Sequence, residues 1–308
     1  MKYLTITAFW ALGIIWGSNF IYMKMASELI TTSQIVLLRV AFGFIPIAIY
    51  AYLNGALKLS HLKHARHFFV MSLLATTIYY YGFAKGASLL LSGVAGALSG
   101  TIPIFALLLA LIFLAEEPVT KNRIFGLLAG FSGVILIAQP FSADMASTNL
   151  EGVMYMVLGS LSIGASFIYA KKYIIPLQIS ASALTTYQLG FSLLILCIIT
   201  DFNGIEKIGD DLHAAIGMVL GLGLLGTGLA YLIYYFIIDK LGAVTASSVT
   251  YIPPVVALII GSAIVGEDIG AIEYFATGLI FVAIMLVNKK AKGTTDQSGY
   301  AKPLAAKD

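Results

Sequence analysis

Charge is scarce in this chain, cysteine is nearly absent, and carboxylates are missing from the places a buried reaction centre would need them. Only 11% of the 308 residues are Asp, Glu, Lys or Arg, against about 25% in a soluble domain, which excludes an ordinary soluble enzyme. The single cysteine, Cys197, excludes a disulfide framework and a cysteine-rich metal site. The four histidines, His61, His64, His67 and His213, fall in connections or at the ends of apolar runs. A nucleophile such as Ser166, in Gly164-Ala165-Ser166-Phe167, is therefore left without a buried base. The group His61, His64 and His67 has no accompanying carboxylate or cysteine, so it reads as a solvated basic loop and not as a metal site. No glycine-rich loop ending in lysine is present to cradle a nucleoside triphosphate. The net charge of +3, from 18 basic and 15 acidic residues, forms no nucleic-acid stripe. Neither an enzyme nor a cofactor, a metal or a nucleic-acid partner is expected.

What fills the chain instead is hydrocarbon: 59% of residues are apolar and the mean hydropathy is +0.94. A membrane-crossing helix needs roughly 20 apolar residues, and ten stretches can be bracketed, at 3–23, 34–53, 67–84, 93–115, 122–139, 151–170, 181–200, 213–237, 243–265 and 272–288. A barrel strand would alternate in polarity, whereas Ile104 to Leu114 is apolar throughout. The expectation is an all-α polytopic membrane protein of ten transmembrane helices, with the lipid bilayer as its surrounding partner. The first run lacks a cleavage site after a short core and reads as a span, not a signal peptide.

Alternate connections separate the basic residues sharply. One side holds Lys2, Lys58, Lys63, Arg66, Lys121, Arg123, Lys171, Lys172, Lys240, Lys289, Lys290, Lys292, Lys302 and Lys307; the other holds Lys24, Lys85 and Lys207. The positive-inside rule then places both termini in the cytoplasm.

The chain also repeats itself at about 150 residues. Trp16-Gly17-Ser18-Asn19-Phe20-Ile21-Tyr22 parallels Ile163-Gly164-Ala165-Ser166-Phe167-Ile168-Tyr169, Ile102-Pro103 parallels Ile252-Pro253, and Glu117 parallels Glu267. This predicts one five-helix repeat over 1–145, a second over 146–290, and a polar, disordered tail over 291–308. Five crossings is an odd number, so the second repeat must be inverted relative to the first. Inverted repeats place a substrate site near the bilayer midplane, between the halves.

Those residues resemble a family. The segment Trp16-Gly17-Ser18-Asn19-Phe20, Leu38-Arg39 early in the second span, and Leu241-Gly242-Ala243 leading to a span closed by Gly266-Glu267 are similar to the drug/metabolite transporter superfamily, EamA type. The first half departs from the pattern with Ala115-Glu116-Glu117. The resemblance implies a bacterial inner-membrane exporter or facilitator of small metabolites; amino acids, nucleosides, vitamins and drugs are all handled within the family, and YddG aromatic amino-acid exporters are one branch. It leaves the substrate open. A channel or an intramembrane enzyme is the competing class.

Candidate site residues follow from the chemistry that a solute pocket needs. Arg39 is the charged residue inside a span, and no Asp or Glu stands at a span centre, which disfavours coupling of cations to protons. Arg39 could pair with Glu267, snorkel to the interface, or capture a substrate carboxylate. Its counterpart at the same repeat offset is Gln188, and Glu117 with Gln188 would form the matching inner gate. Tyr80, Tyr231 and Tyr235, with Trp16, Tyr22, Phe167, Tyr169 and Tyr251, could stack on a solute and hydrogen-bond its polar part. Ser18, Asn19, Ser99, Thr101 and Ser166 offer uncharged hydrogen bonds, though such groups also join helices. Pro103, Pro253 and Pro254 would interrupt the fourth and ninth helices at corresponding positions. Pairs such as Gly13 with Gly17, Gly82 with Gly86 and Gly96 with Gly100 are expected to let helices of the same chain approach closely.

Overall fold

The computed structural model describes residues 2–113, 121–138, 149–241 and 246–288. Besides short 3-10 helices at Leu59–His64 and Ile205–Asp210, these residues form ten longer helical segments and, among themselves, no strand: α1 (Lys2–Ser27), α2 (Thr32–Leu53), α3 (65–89), α4 (Ser92–Phe113), α5 (Lys121–Ala138), α6 (Leu150–Leu177), α7 (Ala181–Ile199), α8 (Leu212–Leu241), α9 (246–265) and α10 (Ala271–Asn288). Six of them, α1, α2, α4, α6, α7 and α8, are long and apolar enough to cross a membrane, and α5, α9 and α10 contain shorter apolar helices.

Several helices continue beyond their apolar runs. α1 extends to Ser27 past Lys24, and α3 reaches residue 89 past Lys85. Hydropathy ends at the first lysine, whereas the backbone ladder does not, because a lysine near a helix end can carry its charge to a polar partner. Lys24 does so by donating to the Leu90 carbonyl at 3.1 Å, which satisfies the end of α3. Other starts follow ordinary capping chemistry. Thr31 forms a capping box with Gln34 on α2, Ser180 accepts from Ala183 N on α7, and Asp211 accepts from Ala214 N on α8.

The faces of these helices explain the composition. α1 buries Leu12, Trp16, Phe20 and Met23, yet its opposite side exposes Tyr3, Ile6, Trp10 and Ile14. α7 buries Leu184, Gln188 and Leu196 and exposes Leu194 and Ile198. A helix that is apolar on its outer face as well as its inner one is adapted to hydrocarbon solvent. Tyr3, Tyr50, Tyr52 and Tyr173 are exposed near helix ends, where amphipathic rings settle at a membrane interface.

Packing follows a simple exchange rule, in which helix number and helix number plus five are interchangeable. α2 packs on α8 as α7 packs on α3; α3 packs on α6 as α8 packs on α1; α4 packs on α6 as α9 packs on α1. The pairs α2 with α7 and α5 with α10 map onto themselves. Glycine permits the closest of these approaches: a Cβ on Gly82 would lie 2.7 Å from the Tyr155 carbonyl and 3.1 Å from Gly159 Cα, so α3 and α6 meet backbone to backbone. Gly13 and Gly17 meet Ile252 and Val256 of α9 in the same intramolecular way.

Both expected helix breaks are present. α4 is interrupted at Gly100 and Thr101, immediately before Ile102-Pro103, and α9 passes through a 3-10 turn at Ser248–Tyr251 before Pro253 and Pro254. Hydroxyls of Ser99, Thr101 and Thr250 fold back onto the carbonyls of Gly96, Leu98 and Ser247 and satisfy acceptors beside the breaks. Glu117, Gly242, Ala243, the proposed repeat boundary and the polar tail lie outside the described residues.

Candidate functional site

Two π-helical turns set up the polar centre. One spans Leu73–Thr77 in α3 and the other Gly217–Leu229 in α8. They carry the same short pattern at an offset of 151 positions, Leu73-Leu74-Ala75-Thr76 and Leu224-Leu225-Gly226-Thr227. A π turn shifts carbonyls away from the regular ladder and is a frequent feature of functional sites.

Each turn receives a side chain from a neighbouring helix. Arg39 of α2, 2% exposed, donates from Nε to Thr227 Oγ1 at 3.0 Å and from Nη2 to the Gly226 carbonyl at 3.1 Å. Tyr80 of α3 completes this cluster: its ring lies under the guanidinium, 3.6 Å from Cζ to centroid, and its hydroxyl donates to the Gly226 carbonyl at 3.4 Å. At the related position, Gln188 of α7 donates from Nε2 to Thr76 Oγ1 at 2.7 Å. Tyr231 of α8 donates to the Ala75 carbonyl, and Tyr235 donates to Gln188 Oε1. Aromatic pairs repeat the correspondence: Phe20 meets Phe83 at 5.7 Å between centroids, and Phe167 meets Tyr234 at 5.0 Å. We call the two clusters the arginine latch and the glutamine latch.

A small cavity lies beside the arginine latch. Its volume of about 10 Å³ admits about one water. Trp16, Asn19, Phe20, Met23, Arg39, Tyr79 and Phe83 line one side, and Ser99, Ile102, Thr250 and Pro253, next to the two helix breaks, line the other. With its amide oriented to satisfy both ends, Asn19 donates to the Ile15 carbonyl at 3.1 Å and accepts from Arg39 Nη2 at 2.8 Å. Trp16 is 4% exposed and its Nε1 has no hydrogen-bond partner. A buried indole N–H ordinarily finds an acceptor, so one of the residues lining the cavity carries an unused donor.

Arg39 does not pair with Glu267. Glu267 turns both oxygens to the start of α4, accepting from Ser92 N at 2.8 Å and Gly93 N at 3.0 Å. An anion at a helix N-terminus satisfies otherwise unpaired N–H groups and complements the dipole. Every atom that Arg39 does bond is neutral, a further partner being Met23 Sδ at 3.7 Å. Among the described residues no carboxylate neutralises it, although a lone buried charge costs several kcal/mol.

The remaining candidates divide by location. Trp16, Asn19 and Ser99 line the cavity, whereas Tyr80 stands behind it under Arg39 and leaves Tyr79 at the wall. Ser166, Phe167, Tyr231, Tyr235 and Gln188 belong to the glutamine latch and its surroundings; there Ser166 Oγ lies 3.0 Å from the Tyr234 hydroxyl. Thr101 is buried at the break of α4. Ser18 and Tyr22 line a separate 440 Å³ groove between α1 and α8, and Tyr169 lines a 280 Å³ groove between α3, α4 and α6. Tyr251 is half-buried in the turn before Pro253. Sequence reasoning overlooked Phe20, Met23, Phe83, Thr76, Thr227 and Thr250 as site residues; the 151-residue offset between the two π turns was the signal that could have found Thr76 and Thr227.

On the face with the histidines, the Tyr187 hydroxyl accepts from Lys58 N at 3.1 Å and lies 3.2 Å from His61 Nδ1. Burial, with Lys58, His64 and Lys63 nearby, pulls the pKa of His61 below its usual 6.5. His67 Nδ1 is 2.7 Å from the Tyr169 hydroxyl. These contacts fasten the 59–64 turn to α7 and the start of α3 to α6.

The profile of the EamA-like transporter family matches residues 4–139 and 150–289. The chain belongs to the EamA-like transporter family. As a member it is a membrane transporter and not an enzyme, and its partners are small molecules. Similar proteins include an uncharacterized transporter of Archaeoglobus fulgidus, 26% identical over 278 residues, covering 89% of this chain and 95% of that one. The uncharacterized inner membrane transporter YedA of Escherichia coli K12 is 26% identical over 283 residues, covering 91% and 89%. The uncharacterized transporter YdfC of Bacillus subtilis is 25% identical over 253 residues, covering 82% and 80%. A solved crystal structure superposes with a TM-score of 0.62 at 14% identity, covering 94% of this chain and 98% of that one, and shares the fold.

Proposed function

We propose that the chain is a secondary carrier that moves small organic metabolites across the bacterial inner membrane by alternating access, as an exporter or facilitator, with amino acids, aromatic ones included, as the first substrates to test. Two five-helix repeats of opposite orientation, with both termini cytoplasmic, rock about the polar centre. The observation that carries this reading is the small, aromatic-lined cavity beside Arg39, with Trp16, whose Nε1 has no partner, among its lining residues, flanked by latches that the exchange of helices interconverts. A site near the centre with breaks at corresponding positions of two repeats is an arrangement typical of alternating-access carriers. Opening one latch while the other stays shut would expose the cavity to one compartment at a time. Tyrosine and phenylalanine walls suit a solute with an apolar body, and the closed volume disfavours the continuous polar lining of a channel.

The test is counterflow in proteoliposomes against a panel of amino acids, nucleosides and cationic drugs. Saturable exchange of at least one compound is expected. Single-channel currents, or flux proportional to concentration without saturation, would overturn the carrier. Cysteine labelling that placed the two termini on opposite faces would overturn the inverted arrangement.

A further inference from the structure

We infer that Arg39 is the anion subsite of the cavity and that the transported solute presents a carboxylate to it. This rests on the carrier reading above and names its substrate class.

The fold contains its own control. Both latches join a long polar side chain from the second helix of a half to a threonine in a π turn, and each places a tyrosine hydroxyl on the preceding carbonyl. The glutamine latch does this with no charge. Closing the turn therefore needs an N–H donor, which glutamine supplies, and does not need a cation. The positive charge at position 39 exceeds what the architecture requires, and it is held where no described carboxylate meets it. The Tyr80 ring face offsets part of that charge; among the described residues no anion does, and the adjoining space is the cavity that Arg39 itself lines.

The rest of the cavity fits the same ligand. A carboxylate accepts hydrogen bonds and donates none. Arg39 carries five N–H donors, of which Nε–H and those of Nη2 face Thr227, Gly226 and Asn19, while Nη1 has only the weak acceptor Met23 Sδ at 3.7 Å. Trp16, which also lines the cavity, carries a second donor, Nε1, without an acceptor. Phe20, Tyr79 and Phe83 offer apolar surface to the remainder of the solute. At about 10 Å³ the cavity is too small for such a molecule, so binding must widen it. The direct route is for the carboxylate to draw the guanidinium away from the Gly226 carbonyl and Thr227, which couples capture to release of the latch.

The experiment uses matched probes on the purified full chain in detergent: L-phenylalanine against L-phenylalaninamide, and 3-phenylpropionate against 3-phenylpropanamide. Each pair keeps the ring and removes the negative charge. The acids are expected to raise the melting temperature of the wild type and the amides are not. Arg39→Gln, which copies the neutral latch, is expected to stay monodisperse and to bind the acids at least about ten-fold more weakly, because a site built for a specific polar group discriminates strongly by it. Trp16→Phe should weaken acid binding by a smaller factor. The inference is overturned if the amides stabilise the wild type as well as the acids do, if no acid does so, if Arg39→Gln retains the acid response, or if Arg39→Gln fails to fold. Saturable counterflow of the amides would sink the carboxylate subsite and leave the carrier standing. Acid binding without saturable flux would do the reverse.

Discussion

Glu267 and Arg39 offer a quantitative test of which contacts hold the two halves together. An ion pair between them is the natural reading of a buried arginine and a carboxylate at a nearby helix end. The structure instead gives Glu267 to Ser92 N and Gly93 N at 2.8 and 3.0 Å, and Arg39 to the π turn of α8. Replacing Glu267 by Ala leaves two N–H groups at the start of α4 without a partner. Hydrogen bonds to a charged acceptor contribute about 1.5–3 kcal/mol each. Glu267 is half-buried, however, and water can partly replace it, so the net loss should resemble that of a strong N-cap, about 1–2 kcal/mol. Arg39→Gln removes a different set of contacts, with no partner in common. The double variant should therefore lose the sum of the single losses to within about 0.5 kcal/mol. A buried ion pair would behave otherwise, since removing either member strands the other at a cost of about 3–5 kcal/mol and removing both relieves it. Equilibrium unfolding of the four proteins in mixed micelles measures the coupling. A value above about 1 kcal/mol would refute the helix-cap assignment.

Other contacts give further predictions. Gly82→Ala should destabilise the chain by about 1–3 kcal/mol in the same unfolding assay, because the added methyl meets the backbone of α6, which cannot yield as a side chain would; an unchanged stability would contradict the backbone contact. Thr76→Val and Thr227→Val each remove the hydroxyl that receives Gln188 or Arg39, and each should cost about 1–3 kcal/mol by stranding a buried donor, with the latch at Thr227 the more sensitive because its donor is charged. His61, outside the spans, should titrate in NMR below 6.5. With the folded pKa depressed, its contribution to stability is present above 6.5 and is lost as pH falls through the folded value; a midpoint above 6.5 would show that the ring is not held as described. Cys197 is exposed on α7 beside the exposed Leu194 and Ile198, on a face that the membrane reading turns to lipid. A charged thiosulfonate should leave it unmodified in intact membranes and modify it after unfolding in SDS.

How much was legible beforehand differs between the helices and their partners. The ten apolar runs located ten helical segments because a membrane demands local satisfaction of every backbone N–H and C=O. The prolines of Ile102-Pro103 and Ile252-Pro253 marked the breaks in α4 and α9, because proline removes one bond of that ladder, whereas Pro46 is carried inside an unbroken α2. The site was less legible. Tyr79 and Tyr80 are neighbours of the same chemistry, and only the turn of α3 decides that Tyr79 lines the cavity while Tyr80 lies under Arg39.

The sequence by itself determined that this protein lives in a bilayer, where its helices run, which residues carry charge, and which short segments recur at an offset of about 150 positions. Tertiary structure alone decided who meets whom: Arg39 with Thr227, 188 positions away, Glu267 with the start of α4, and Trp16 with an empty bond. The physical reason lies in the solvent. Lipid is as apolar as the protein interior, so hydropathy carries no signal that separates a helix's inward face from its outward one. Direction had to come from packing, where glycines set the distances and the polar side chains found partners that no local pattern records.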